Sequence, residues 1–349
     1  MSTPLNSPVL APDPIKTERA MKATALAHPN IALVKYWGKR DEALNLPVAG
    51  SLSLTLAGLH TETSVVFQES LQEDQILLDG RLLKEGRARQ RVVEFLNLVR
   101  KLANRRERAL VESSNDFPTA AGLASSASGF AALALAATTA AGLSLSREEL
   151  SVLARRGSGS AARSLFGGFA EMKAGELPDG SDAHAVAVAE KEHWDLRALI
   201  ALTATGAKEV GSTEGMRRTQ KTSPLFQAWA DTVDDDIGEA RKAIWERNFE
   251  ELTQVAERSC LRMHATAIGA DPGILYWNPT TVAVIQALRR ARDEEGWPLF
   301  FTIDAGPHVK VFTLPETEAQ VEQLLGAIPG VEGLVSARPG GGARLIPEK

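Results

Sequence analysis

Four stretches of the 349-residue chain gather groups able to hold a polyanion and move a proton. "NIALVKYWGKRD" at 30–41 sets Lys35, Lys39 and Arg40 beside Tyr36 and Trp37. Cations next to rigid aromatics suit a phosphate or carboxylate, which they bind through charge-assisted hydrogen bonds. "DFPTAAGLASSASGFAALALAA" at 116–137 is rich in small residues. There Pro118 presets a turn, Gly122 lets backbone approach a ligand, and Ser125 and Ser126 stand at a helix start, where free N–H groups favour anions. The stretch lacks both GxxxxGK and GxGxxG, so it reads either as an anion cradle or as an Ala-rich helix packed closely on a sheet. "RRGSGSAARSLFGGF" at 155–169 adds Ser158, Ser160 and Arg163 among glycines. "TIDAGPHVKVF" places Asp304 at a strand end just before Gly306 and Pro307, a usual position for a catalytic carboxylate. Three donor-rich segments and one isolated carboxylate suggest a polyanionic substrate and a base.

The elements around these stretches form an α+β pattern. Alternating apolar and polar residues over Lys22 to Leu33 and Ser51 to Glu69 predict strands, and "LLDGRLL" at 77–83 predicts a hairpin. Val92, Val93, Leu96, Val99 and Leu102 lie at helical spacing within 86–104. The basic end of that helix, "RKLANRRER", reads as a solvated helix end. "ERALVESS" predicts a strand leading into the small-residue stretch, whose helix runs to about Ala141. "LSREELSVLARRG" predicts another helix, with Ser146 as N-cap and Glu149 completing a capping box. "LRALIALTA" at 196–204 opens a second set: helices over 223–247, 249–266 and 278–295, then strands "LFFTIDA" and "VKVFTL" in an antiparallel sheet. The acidic "TVDDDIGEA" reads as a solvated helix turn and "PGGGAR" as a flexible turn. The expected organisation is an extension over 1–21, an N-terminal lobe over 22–192 and a C-terminal lobe over 193–349.

Composition narrows the class. A net charge of -5 argues against a general nucleic-acid binder while leaving room for a local cationic pocket. One cysteine, Cys260, allows no intramolecular disulfide, which fits a reducing cytoplasm, and its helical flanks make it a packing residue. The six histidines never approach metal-ligand spacing. The longest apolar window falls short of the roughly 20 residues that span a bilayer, so a soluble protein is expected.

In this order and at these separations, the four motifs resemble the mevalonate 5-diphosphate decarboxylase family of the GHMP kinase superfamily, over residues 22 to 345. The resemblance implies a two-lobed GHMP kinase fold, with a ribosomal protein S5 domain 2-like N-terminal lobe and a ferredoxin-like C-terminal lobe. It also implies a homodimer, and an enzyme that uses ATP and Mg2+ to phosphorylate the 3-hydroxyl of a 5-phosphorylated mevalonate, which then loses phosphate and carbon dioxide. Carried over by motif, Asp304 orients or deprotonates the hydroxyl, Arg163 holds the substrate carboxylate, and Lys35 lies near Asp304. Tyr36, Lys39, Ser158, Ser160 and Ser51 fall to the substrate. Pro118, Ala120, Gly122, Leu123, Ser125 and Ser126 fall to the ATP phosphates, with Ser125 or Ser126 near Mg2+. The chain departs from the family where "LPVAGSLSLTL" offers Ala49 and Gly50 in place of side-chain donors, and where His308 replaces an Asn after "DAGP". With "KATALAHPN", these departures lean towards mevalonate 5-phosphate as substrate, whereas the complete "KYWGK" segment is that of the diphosphate enzymes. A kinase without decarboxylation and a non-catalytic nucleotide sensor are the alternatives: Arg163, as a carboxylate clamp, speaks against the kinase, and Asp304, Lys35 and Arg163 together speak against the sensor.

Overall fold

The computed structural model describes residues 22–117, 125–204, 206 and 209–347. Its first strands are β1 (Lys22–Ala27), β2 (Asn30–Val34), β3 (Lys39–Asp41), β4 (Leu46–Pro47), β5 (Ser51–Ala57) and β6 (Thr61–Gln68). His28 and Pro29 split the first expected strand in two, since proline offers no N–H to a ladder. The hairpin joins β7 (Gln75–Leu78) to β8 (Arg81–Leu82) through Asp79 and Gly80, both at positive φ (50° and 74°), as a tight two-residue turn requires. Next come α1 (Arg87–Leu102), β9 (Arg108–Asn115), α2 (Ser125–Ala140), α3 (Arg147–Gly157) and α4 (Ala161–Ser164). Helix α3 has the full capping box: Glu149 N–H donates to Ser146 Oγ at 3.2 Å, and Ser146 N–H to Glu149 Oε2 at 2.8 Å.

The rest of the chain forms β10 (Phe169–Met172), β11 (Ala185–Ala189), β12 (Arg197–Leu202), α5 (Ser212–Thr222), α6 (Phe226–Ala230) and α7 (Val233–Glu246). It continues with α8 (Phe249–Ile268), α9 (Pro279–Glu295), β13 (Leu299–Ile303), β14 (Val309–Thr313), α10 (Glu318–Gly326), β15 (Gly333–Pro339) and β16 (Arg344–Ile346). Two differences from the sequence expectation stand out. Helix α5 was not expected, and the helix expected over 223–247 is two helices, α6 and α7. Phe226, Trp229, Val233 and Ile237 are all buried at continuous helical spacing, so periodicity hides the break. At that break the Thr232 hydroxyl donates to Trp229 O at 2.9 Å and competes with the regular helical bond.

One sheet has the order β16-β1-β6-β9-β7-β8; a second has β11-β10-β5-β15-β12-β14-β13, with β2 also on β5; and β3 pairs with β4 in a small third one. Strand β15 joins β5 through Arg338↔Ala57 and Pro339↔Leu56, so one sheet carries strands from both halves of the chain. Helix α2 covers the first sheet with seven buried alanines between Ala127 and Ala140, whose small side chains let it lie close to β1 and β6. Helices α7 and α8 pack on the second sheet against β2, β5 and β13. No helix among the described residues is long and apolar enough to cross a membrane.

Three readings of polar segments are corrected by packing. The basic end of α1 is not simply solvated: Arg100 is buried in a two-bond pair with Asp74, both contacts at 2.8 Å, and Arg105 is buried against Ala140 O and Glu107. In the acidic run, Asp236 is buried and pairs with Arg258 at 2.8 Å. "PGGGAR" is not a flexible turn but a crossing of backbones: Gly340 N–H donates to Thr55 O at 2.7 Å, and Gly340 O accepts from Gly168 N–H at 2.9 Å. A Cβ on Gly340 would sit 2.5 Å from Ala57 N and 2.9 Å from Leu56 C. Gly340→Ala therefore lowers the unfolding free energy by about 3 kcal/mol, because backbone must move. Thermal unfolding measures this, and an unchanged melting temperature contradicts the crossing.

Candidate active site

A cleft of about 1020 Å3 lies between the two halves and is lined by residues of all the sequence motifs that fall within the described residues. At its floor Lys35 follows the end of β2 and Asp304 the end of β13, and Lys35 Nζ contacts Asp304 Oδ1 at 2.7 Å. One helix face fixes both. From α8, Ser259 Oγ accepts the Lys35 N–H at 3.0 Å, Cys260 Sγ accepts the Ile303 N–H at 3.2 Å, and His264 Nε2 bonds Ile303 O at 3.1 Å. Burial pushes the His264 imidazole down to about 3, so it stays neutral and donates through Nε2 to that carbonyl. Cys260 is the packing residue its flanks suggested, with burial raising its thiol.

A second lysine completes the floor. Lys310 on β14 places Nζ 3.3 Å from Asp304 Oδ2, and it escaped sequence reasoning although a lysine between two valines of a buried strand is itself a signal. Burial opposes the charge of Asp304, but the fields of Lys35 and Lys310 outweigh it and hold the carboxyl well below the usual carboxylate range. Burial also lowers Lys310, which Asp304 partly offsets.

Arg163 on α4 is 2% exposed and faces the same cleft. Its Nε donates to Ser53 Oγ at 2.9 Å, its Nη2 to Asn30 Oδ1 at 3.2 Å and its Nη1 to Ser51 Oγ. Burial lowers it to about 10, so the guanidinium stays charged at neutral pH. Among the described residues no carboxylate lies within ion-pair distance of it. A buried cation held only by neutral groups awaits an anionic ligand. Ser51, expected to touch substrate, lies beneath Arg163 and does not line the cleft; it orients the guanidinium, as do Asn30 and Ser53.

The rest of the lining is donor-rich. Tyr36, Lys39, Ser158 and Ser160 belong to it, with the Ser158 and Ser160 hydroxyls 3.3 Å apart. Tyr36 Oη is buried without a hydrogen-bond partner, and burial raises the phenol to about 12. Gly159 makes room for it, since a Cβ there would lie 2.3 Å from that oxygen. Lys39 is lowered by burial and by the neighbouring Arg91. Arg91, also unforeseen, donates to Gly157 O at 2.8 Å and lies 4.9 Å over the Phe130 ring. Ser125 and Ser126 open α2 at the cleft wall, and Ser126 Oγ stands 3.4 Å from Ser158 Oγ. Pro118, Ala120, Gly122 and Leu123 lie outside the described residues. The unexpected α5 also presents its start, Gly211, Ser212 and Thr213, to the cleft.

The departures from the family pattern do not face this space. Ala49 packs on the apolar core, and a Cβ on Gly50 would point 2.7 Å from Ile237 Cδ1 and 3.0 Å from Met172 O. His308 is buried and its Nδ1 accepts the Thr203 N–H at 3.1 Å.

The α+β scaffold with its cation- and donor-lined cleft between two halves is that of the GHMP kinase fold, and comparison with known proteins defines it further. Residues 27–185 match the diphosphomevalonate decarboxylase-like N-terminal domain, and residues 198–333 the mevalonate 5-diphosphate decarboxylase C-terminal domain. The structure of MDDEF in complex with MVAPP, AMPPCP and magnesium is 44% identical with a TM-score of 0.87, over 93% of this chain and 99% of that chain. Diphosphomevalonate decarboxylase from Bos taurus is 41% identical over 85% of this chain and 78% of the relative. Phosphomevalonate decarboxylase from Haloferax volcanii is 38% identical over 89% of this chain and 94% of the relative. The chain belongs to the diphosphomevalonate decarboxylase family of carboxy-lyases.

Proposed function

We propose that the protein phosphorylates the 3-hydroxyl of a 5-phosphorylated mevalonate with ATP and decarboxylates the product. The observation that carries this reading is the pairing of a cleft-floor carboxylate between two lysines with a buried guanidinium that has no carboxylate partner among the described residues. Arg163 holds the substrate carboxylate, Asp304 takes the hydroxyl as a hydrogen-bond partner, and Lys35 neutralises charge where the phosphoryl group arrives. The hydroxyl oxygen bonds to the γ-phosphorus as the bond to ADP breaks, and the proton leaves towards Asp304. Because two ammonium groups make Asp304 a weak base, its main contribution is orientation, with proton acceptance late in the transfer. The C–O bond to phosphate then breaks, the C–C bond to the carboxylate supplies the electron pair of the new alkene, and carbon dioxide departs.

The 118–126 stretch, from which Ser125 and Ser126 reach the cleft, would hold the ATP phosphates. Mg2+ would accompany those phosphates, and Ser125 or Ser126, which open α2 at the cleft wall, would offer it a hydroxyl. Bound there, the ion would supply neutralisation of charge on the transferring group.

We infer mevalonate 5-diphosphate as the better-fitting substrate. The missing donors at 49 and 50, which favoured the monophosphate, do not face the cleft, whereas Tyr36 Oη, Lys39 and the start of α5 do. The relative from Bos taurus and the MVAPP complex agree with this choice, and the Haloferax volcanii relative keeps the monophosphate as the second reading. Incubation with ATP, Mg2+ and each substrate decides: carbon dioxide and ADP appear at higher kcat/KM with the diphosphate. Turnover only with mevalonate 5-phosphate reverses the choice, and ADP without carbon dioxide refutes the decarboxylase reading.

A further inference from the structure

Two lysines hold one carboxylate, and their positions differ. Lys35 lines the cleft, where an incoming phosphoryl group can draw its ammonium away from Asp304 Oδ1. Lys310 does not line the cleft; its side chain is 2% exposed, and besides Asp304 Oδ2 at 3.3 Å its Nζ donates to His308 O at 3.4 Å. With β14 hydrogen-bonded to β12 on one side and to β13, which ends one residue before Asp304, on the other, the strand carrying this ammonium has no freedom to follow a ligand. We propose that Lys310 is a positioning residue for phosphoryl transfer, fixing Asp304 from behind through Oδ2 so that the carboxylate keeps one orientation and its charge while Lys35 is engaged by the transferring group. The proposal rests on the decarboxylase reading above. It divides the labour between the lysines: Lys35 touches the reacting atoms and Lys310 acts only through Asp304.

The charged and titratable groups around Asp304 are Lys35 after β2, Lys310 on β14, Arg163 on α4, and Cys260 and His264 beneath on α8. His264 stays neutral through the range in which activity is measured, and Cys260 is raised by burial. Loss of Lys310 therefore removes one of the two cations that lower Asp304, and the carboxyl titrates at higher pH.

The test compares Lys310→Met and Lys310→Arg with the parent in steady-state kinetics, pH–rate profiles of kcat and thermal unfolding. Turnover of the parent to carbon dioxide and ADP establishes the reading on which the proposal rests, so its failure is seen separately. Lys310→Met is expected to lower kcat by about 100-fold, the cost of a misplaced catalytic group, with KM for both substrates within about threefold. The acidic limb of its pH profile moves up, whereas Lys310→Arg keeps that limb near its original position because a cation remains behind Asp304. If Lys310→Met does not fold, Lys310→Gln, which keeps a donor but no charge, is expected to show the same upward shift. Parent-like kcat and an unmoved acidic limb in whichever neutral variant folds overturn the proposal, as does a loss confined to melting temperature.

Discussion

Asp304→Asn lowers kcat by about 10³–10⁴-fold while the affinities for the phosphorylated substrate and for ATP stay within a few fold. The size follows from the geometry: the carboxylate is the acidic group at the meeting point of Lys35 and Lys310, and general-base and orienting contributions together reach about this range. Binding changes little because Tyr36, Lys39, Ser158 and Ser160, the donors proposed for the phosphate end of the substrate, keep their places in the cleft and none of them bonds to Asp304. Stability falls as well. The amide leaves the two ammonium groups facing each other, and removing one partner of a buried ion pair costs about 3 kcal/mol or more. With its acidity enhanced in the fold, Asp304 contributes stability that is complete above the ordinary Asp range and is lost only as pH falls below it. The melting-temperature gap between parent and variant therefore closes on acidification. Unchanged turnover in a folded Asp304→Asn protein sinks the mechanism.

Arg163→Met lowers kcat/KM by about 10²–10³-fold, the equivalent of about 3–4 kcal/mol for a truncated buried charge and its ligand contact. The guanidinium is pre-aimed by Asn30, Ser51 and Ser53, so its planar fork meets a carboxylate without reorganisation. Lysine cannot reproduce that fork, and Arg163→Lys recovers little of the loss. Both ADP and carbon dioxide are measured: the two fall together if Arg163 holds the carboxylate of the substrate, and kcat/KM within threefold of the parent shows that it does not. Ser51→Ala is the informative companion, since it frees one guanidinium N–H without touching the cleft and produces a smaller decrease in the same parameter.

Much of this was legible in the chain. The residues fated for the cleft announced themselves by being wrong for their surroundings: donors crowded among glycines in "RRGSGSAARS", cations beside aromatics in "KYWGKRD" and a lone aspartate at a strand end. Local signals with local causes also held, such as the Ser146 and Glu149 capping box and the Asp79–Gly80 turn, because both ends of each interaction lie within a few residues. Cys260 was legible as packing from its helical flanks alone, although its partner Ile303 stands 43 residues further on.

Long-range pairing was not legible. Periodicity tells which face of an element is buried but not what meets a charged side chain there, so Arg100 with Asp74 and Asp236 with Arg258 read as solvated. The small-residue helix α2 satisfied both sequence readings at once, closely packed on β1 and β6 and opening at the cleft with Ser125 and Ser126. The glycines of "PGGGAR" looked like slack and are a crossing, because their constraint lies in β5, nearly three hundred residues earlier in the chain. The sequence by itself determined the family, the caps and turns, and the residue types that line the cleft. Tertiary structure alone decided that Lys310 stands behind Asp304, that Ser51 serves Arg163 and that positions 49 and 50 face the core, since each depends on which strands become neighbours across the second sheet.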